Sequence, residues 1–159
     1  MNKISIIIVN YNGQLFIEEC LLSILASRCE VPIETIVIDN DSTDESLSVL
    51  KKYRNNIKLI KNNHNSGFAK ANNIAVSYAT GNLLFLLNND TILQKNTIQT
   101  LYDYIKKNHD CAVVVPKLLN KDGSIQCPGS IFGQWRFKSK KTRVLPFVAG
   151  AAIMIEKIM

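Results

Sequence analysis

Residues 3–10 read KISIIIVN, and residues 82–88 read NLLFLLN. Both are short apolar runs that end on asparagine, and the first is rich in β-branched side chains. An unbroken run of this length marks a strand covered on both faces. Between the two lie 34–40, ETIVIDN, which reads the same way, and 57–61, IKLIK, a third and shorter strand. The intervening stretches have helical spacing. Leu15, Cys20, Leu21, Ile24 and Leu25 share one side of a helix over 14–27. Leu47, Leu50 and Tyr53 do so after Ser42-Thr43-Asp44-Glu45, which matches a capping box. A third helix runs from Gly67 to about Tyr78, with Gly81 as its C-terminal stop.

Beyond residue 88, Ile98, Leu101, Tyr102 and Ile105 place a helix over 97–107, and 112–115 make a fifth strand. Strand and helix therefore alternate to about Pro116. Such alternation requires right-handed crossovers and a mostly parallel sheet with helices on both faces. The expectation is a Rossmann-like α/β fold, one domain over 1–159, without repeats or linkers.

The chain has 159 residues, 47% hydrophobic and 20% charged, with a net charge of +6. A chain of that length can bury roughly 68–70% of its unfolded surface in one core, and its ordinary apolar fraction argues against bulk disorder. No apolar run reaches the ~18–20 residues of a membrane span. The N-terminal run is interrupted by Asn10, Tyr11 and Asn12 and lacks a small-residue cleavage site, so it reads as a strand and not a signal peptide. Cys20, Cys29, Cys111 and Cys127 form no CxxC pair and have no His cluster beside them, which argues against zinc. Cys20 and Cys111 read as buried thiols, suited to a reducing cytoplasm. Arg136, Lys138, Lys140, Lys141 and Arg143 crowd one segment. That cluster is either a solvated loop or an attractor of anionic lipid or phosphorylated substrate. No nucleic-acid motif accompanies it, so nucleic acid is not expected as a partner.

In open α/β sheets, ligands bind beyond the carboxyl ends of the strands. Those positions here hold Asn10-Tyr11-Asn12-Gly13, Asp39-Asn40-Asp41-Ser42, residues 62–67 (NNHNSG) and Asn88-Asn89-Asp90. Turn chemistry accounts for part of this composition, but four such ends in succession exceed what connection needs. Neither G-x-G-x-x-G nor the P-loop pattern is present, which argues against nicotinamide redox chemistry and P-loop phosphoryl transfer. A nucleotide site made of side chains and a metal remains. Tyr11 offers a ring to a base, or packs on the first helix. Asp39 accepts from a base N–H, or serves helix entry. Asp90 meets a hard divalent cation bridging to diphosphate, or caps a helix from Thr91 onward.

The segments IIIVNYNG, IVIDNDSTDES, NSGFAKANNIA, LLFLLNNDT and VAGAAIMIEK, in this order, cover nearly the whole chain. Together they resemble glycosyltransferase family 2, and most closely its rhamnosyltransferase-like members of bacterial polysaccharide synthesis. The resemblance implies a GT-A fold and an inverting sugar transfer from a UDP- or dTDP-sugar. It implies a divalent metal, Mg²⁺ or Mn²⁺, and a glycan or lipid-linked acceptor. With the thiols suited to the cytoplasm, the basic segment at 136–143 sets the expectation of peripheral contact at the inner membrane face, where a lipid-linked acceptor would be carried. By position, Val9 and Tyr11 would line the nucleobase and Asp39 would hold the base or ribose. Asn65, Gly67 and Asn72 would stand near nucleotide and sugar. Asn88-Asn89-Asp90 occupies the family's D-x-D position, with Asn in place of the first Asp. Asp90 is then the metal contact, while Asn88 and Asn89 are substrate-binding. The family's acceptor-side acidic pair does not follow VAGAAIMIEK here. The expectation is therefore a C-terminally truncated sheet with an unassigned general base, weak or no transfer by the chain alone, and apolar surface open near 147–155.

Overall fold

A computed structural model describes residues 2–126 and 151–157. In chain order the elements are β1 (Ile4–Asn10), α1 (Ile17–Leu25), β2 (Ile33–Asp39), α2 (Ser46–Lys52) and β3 (Lys58–Lys61). There follow α3 (Phe68–Ser77), β4 (Leu83–Asn88), α4 (Thr97–Lys107), β5 (Val113–Val114) and β6 (Ala152–Glu156). The sheet order is β3-β2-β1-β4-β6-β5. Strands β1 to β4 are mutually parallel where they pair, and β6 runs antiparallel between β4 and β5.

The apolar runs sort by the two-residue period of a strand. Ile4, Ile6 and Ile8 of β1 join Val37, Leu83, Phe85 and Leu87 in one core layer. Helix α1 contributes Ile17, Cys20, Leu21 and Ile24 to it, α2 contributes Leu50, and α4 contributes Ile98, Leu101, Tyr102 and Ile105. Ile7, Ile36, Ile38 and Leu84 face the other way, onto Ala71, Ala75 and Ala79. Each fully buried Ile or Leu contributes about 1.5–3 kcal/mol, so these two layers dominate stability. The alanines recur every four residues, and their small size lets α3 pack closely on the sheet.

The chain winds outward from β1 through β2 to β3, then returns through α3 on the opposite face to lay β4 beside β1. The winding reverses between β1 and β4. A crevice opens at such a point beyond the strand ends.

Several local expectations are corrected. The second helix begins at Ser46, not at Ser42, and its N-terminal neighbour Glu45 makes no side-chain cap. Ser42 is occupied elsewhere, accepting from Asn10 and Asn12. Asp44 instead accepts from the Ser46 N–H at 2.9 Å. Gly81 is not a helix stop, because α3 ends at Ser77 with Tyr78 still right-handed. Its need is space: a Cβ there would lie 2.6 Å from the Lys3 carbonyl and 2.7 Å from Ser5 Oγ. No helix starts at Thr91; α4 begins at Thr97, so Asp90 caps nothing. Residues 152–154 do not lie open, since Ala152 and Met154 are buried between β4 and β5. Residues 147–150, the basic cluster at 136–143 and Cys127 lie outside the described residues. No helix among the described residues is long and apolar enough to cross a membrane.

Candidate functional site

The carboxyl ends of β1, β2 and β4 are tied together by asparagine amides. Asn10 closes β1 and is fully buried. Its Nδ2 donates to Asp39 Oδ1 at 3.1 Å and to Ser42 Oγ at 3.2 Å. Its Oδ1 accepts from Asn89 Nδ2 at 3.0 Å. One amide thus spans three strands with both of its polar atoms engaged, as burial requires. Asp39 is also fully buried, and its second oxygen accepts from the Ser42 N–H at 3.3 Å. Asn40 performs the same office toward β3. Its Oδ1 accepts from Asn62 Nδ2 and the Ser66 N–H, and its Nδ2 donates to Asn65 Oδ1 at 2.8 Å. Asn65 Oδ1 in turn accepts from the Gly67 N–H at 2.9 Å.

The loops after β1 and β2 are laced reciprocally. The N–H groups of Asn12 and Gln14 donate to Ser42 Oγ and Asp44 Oδ2, each at 3.0 Å. The side chains of the same two residues accept from the N–H groups of Thr43 and Glu45, at 2.8 and 3.0 Å. Asn12 and Asp41 hold left-handed backbone, φ 50° and 70°, a conformation that Asn and Asp tolerate better than most residues. Gly13 sits where a Cβ would collide with Asn89 Nδ2 and Asn10 Oδ1. A glycine is needed there because the Asn10–Asn89 bond passes through the space a methyl would take.

Above this network lies an open cleft of about 380 Å³, lined by Val9, Tyr11, Asn40, Asn65, Gly67, Phe68, Asn88 and Asn89. Tyr11 and Phe68 are each about half exposed, 49% and 54%, and give it two aromatic surfaces. Gly67, at φ 79°, turns the chain into α3. Six of the residues singled out from the sequence, Val9, Tyr11, Asn65, Gly67, Asn88 and Asn89, are brought to this one cleft. Three are not among its walls. Asp39 lies buried in the network of Asn10 and Ser42. Asn72 is buried on α3, with its amide donating to the Phe68 carbonyl at 2.9 Å. Asp90 stands exposed in the turn that follows β4. Asn10 and Asn40 stand in the polar strand ends and Phe68 in the segment NSGFAKANNIA, but none of the three had a role of its own assigned from the sequence. Their signal was their place at a strand end (Asn10), one step beyond one (Asn40) or directly after a glycine turn (Phe68).

Asp90 has no hydrogen-bond or ion-pair partner among the described residues. Its charge is felt nearby: burial first, and the Asp90 carboxylate second, push the Cys20 thiol up to about 12. That thiol stays protonated and packs in the core, 3.7 Å from the Asn88 carbonyl. No group of three or more His, Cys, Asp or Glu among the described residues forms a complete metal cage. Asp90 is nonetheless an exposed hard-oxygen donor that directly follows two cleft residues, Asn88 and Asn89. One carboxylate is compatible with a cation such as Mg²⁺ that would draw its other ligands from water and substrate phosphate.

Residues 5–155 match the family model of glycosyl transferase family 2. The chain belongs to that family. Curated family relatives include the poly(ribitol-phosphate) beta-N-acetylglucosaminyltransferase TarS of Staphylococcus aureus, 31% identical over 83% of this chain and 23% of its own length. The glycosyltransferase GlyG of Streptococcus pneumoniae is 30% identical over 76% of this chain and 40% of its own. The chain thus spans less than half the length of these two relatives. Among solved structures, S. aureus TarS 1-349 in complex with UDP-GlcNAc superposes with a TM-score of 0.75 at 27% identity, over 95% of this chain and 44% of that one. The mannosyltransferase PcManGT from Pyrobaculum calidifontis, in complex with GDP-Man and Mn²⁺, has a TM-score of 0.76 at 19% identity, over 96% of this chain and 44% of that one. That second likeness speaks to the fold. The fold is the GT-A arrangement.

Proposed function

We propose that the cleft holds a UDP- or dTDP-linked sugar and that this domain serves inverting transfer of that sugar to a glycan acceptor in cell-wall polysaccharide synthesis. The observation that carries the reading is the convergence of Val9, Tyr11, Asn65, Gly67, Asn88 and Asn89 on one cleft at the winding reversal. The UDP-GlcNAc complex of TarS supports the donor class. The relatives named as poly(ribitol-phosphate) sugar transferases support a wall-glycan acceptor.

In this reading Tyr11 and Val9 flank the base, and Asp39 accepts from its N–H. Asp39 is closed to water as it stands, so the loop above it opens locally when a nucleotide seats. Asn88 and Asn89 bond ribose or sugar hydroxyls, and the turn from Asn65 to Gly67, with the first turn of α3 and Asn72 behind it, frames the sugar end. Asp90 would hold a divalent cation, which when bound offsets the charge developing on the leaving diphosphate. Inversion corresponds to a single displacement, with the acceptor oxygen bonding to the anomeric carbon as the diphosphate oxygen leaves. No residue is assigned as the base. Buried protonated thiol and nucleotide-sugar use favour a cytoplasmic setting, with the membrane as the place where a lipid-linked acceptor would be met.

Calorimetry with UDP, with and without Mg²⁺ or Mn²⁺, tests the reading. UDP is expected to bind more tightly with metal, and Asp90→Ala to abolish the difference while the metal-free affinity stays. Equal affinity with and without metal in the parent chain would remove Asp90 from this role.

A further inference from the structure

Residues 46–89 hold six Lys or Arg and no Asp or Glu, a surplus equal to the net charge of the whole chain. The fold gathers these cations on one edge. Lys51 and Lys52 end α2, and Arg54 follows them. Lys58 and Lys61 stand on β3, the terminal strand of the sheet. Lys70 lies in the first turn of α3, two residues past the cleft residue Phe68. All six are exposed. None has an ion-pair partner among the described residues, where the ion pairs are Lys3–Glu34 and Lys106–Glu30. Lys58 rests over the Tyr78 ring, 4.8 Å from its centroid.

Local needs account for single members of the group. Lysines on an edge strand discourage strand pairing between molecules, and cations suit a helix C-terminus. Neither need calls for the absence of every acid over the same stretch. Asp44 and the exposed Glu45, at the site end, are the nearest acids in sequence before it, and Asp44 is engaged by Gln14 and Ser46. Two acids from other elements approach the edge, Glu18 through its bond to Tyr53 and the buried Asp39 beside Lys61 in register, and against these two the six exposed cations leave a positive surplus along it. The surplus starts at the end of α2, follows β3, and arrives at the cleft mouth through the turn at 62–67.

We infer that this edge is the docking track for an anionic acceptor polymer, a chain carrying phosphodiester or carboxylate groups whose end is delivered to the cleft. A linear track that leads to the site suits an extended chain better than it suits a flat membrane. Lysine, a flexible point charge, attracts successive anions without fixing their spacing. The inference rests on the donor reading of the cleft, because it names what that site would glycosylate.

The test is binding of labelled oligomers to the full chain: poly(ribitol phosphate), hyaluronan and neutral dextran, with vesicles of phosphatidylglycerol in phosphatidylcholine alongside. UDP affinity and melting temperature are measured in parallel. The edge variant is Lys51→Gln/Lys52→Gln/Lys58→Gln/Lys61→Gln; a second variant carries Gln at Arg136, Lys138, Lys140, Lys141 and Arg143. At least one anionic oligomer is expected to bind while dextran does not, and which one binds identifies phosphate or carboxylate. The edge variant should lose about tenfold in affinity near ~0.1 M salt and show a shallower salt dependence, with UDP affinity unchanged. The inference is overturned if the edge variant binds both oligomers as the parent does, if only the second variant loses binding, or if vesicles bind and neither oligomer does. Failure of the parent chain to bind UDP would strike the donor reading instead, and the oligomer comparison would still decide the edge.

Discussion

A methyl group at position 13 would fall on the hydrogen bond between Asn10 and Asn89, which joins the ends of β1 and β4. Gly13→Ala is therefore expected to cost about 1–3 kcal/mol, the usual range for an overpacked site. It should also weaken UDP binding, whereas Gly123→Ala, in an exposed turn far along the chain, should leave binding alone. Thermal unfolding and calorimetry on both variants check this. At the opposite end of the strands, Glu34 accepts from Ser5 Oγ, Lys3 Nζ and the Thr80 N–H at 2.5, 2.9 and 2.7 Å. Burial acts to raise its pKa, but the hydrogen bonds outweigh burial and hold it at about 2 against an ordinary 4.5. Because the folded value is the lower one, the stabilisation is complete above the unfolded value and is lost as pH falls toward 2. It amounts to something on the order of 3 kcal/mol at neutral pH. Glu34→Gln should lower the melting temperature at pH 7 and flatten the loss of stability between pH 5 and 2. An unchanged acid limb in that variant would refute the assignment. Single residues were also where the sequence was least legible. Asn10 and Asn40 read as turn formers, and only the three-dimensional register shows them as the amides that join neighbouring strands.

Elements were far more legible, because burial on two faces leaves an apolar signature that polar surroundings do not imitate. The runs at 3–10, 34–40, 57–61 and 82–88 became β1 to β4 within one residue at each end. The helix at 97–107 formed over that span. The capping box failed for a physical reason: Ser42 gained two donors from β1 and its loop, more than the one it would have gained by capping α2. The lacing that results has a consequence for Tyr11, which stands between Asn10 and Asn12, both anchored to the second loop. Asn12 is thereby a positioning residue for the Tyr11 ring. Asn12→Ala should weaken uridine binding about threefold to tenfold, and Asn12→Asp, which keeps the acceptor and the left-handed tolerance, should restore it. In a double-mutant cycle, Asn12→Ala should add nothing once Tyr11 is Ala. Additive losses would show that the loop acts through stability alone.

For the molecule as a whole, the order of strands was not written in any one segment. Alternation of strand and helix required a mostly parallel sheet, and right-handed crossovers limited its topologies. Only the return of β4 to the side of β1, and the antiparallel insertion of β6 beyond it, fixed where the crevice opens. Those non-local pairings depend on packing across long loops, which local pattern does not encode. The charge on the β3 edge is likewise a property of the assembled molecule, since the residues that carry it come from three elements. The central claim is that nucleotide binds where the ends of β1, β2 and β4 meet. Amide chemical-shift mapping of the isotopically labelled chain during a UDP titration with Mg²⁺ tests it most directly. The largest shifts should fall at residues 9–13, 39–42, 65–68 and 88–90. Saturable shifts confined to the outer surface of α1 or α4, with those four segments unmoved, would contradict it.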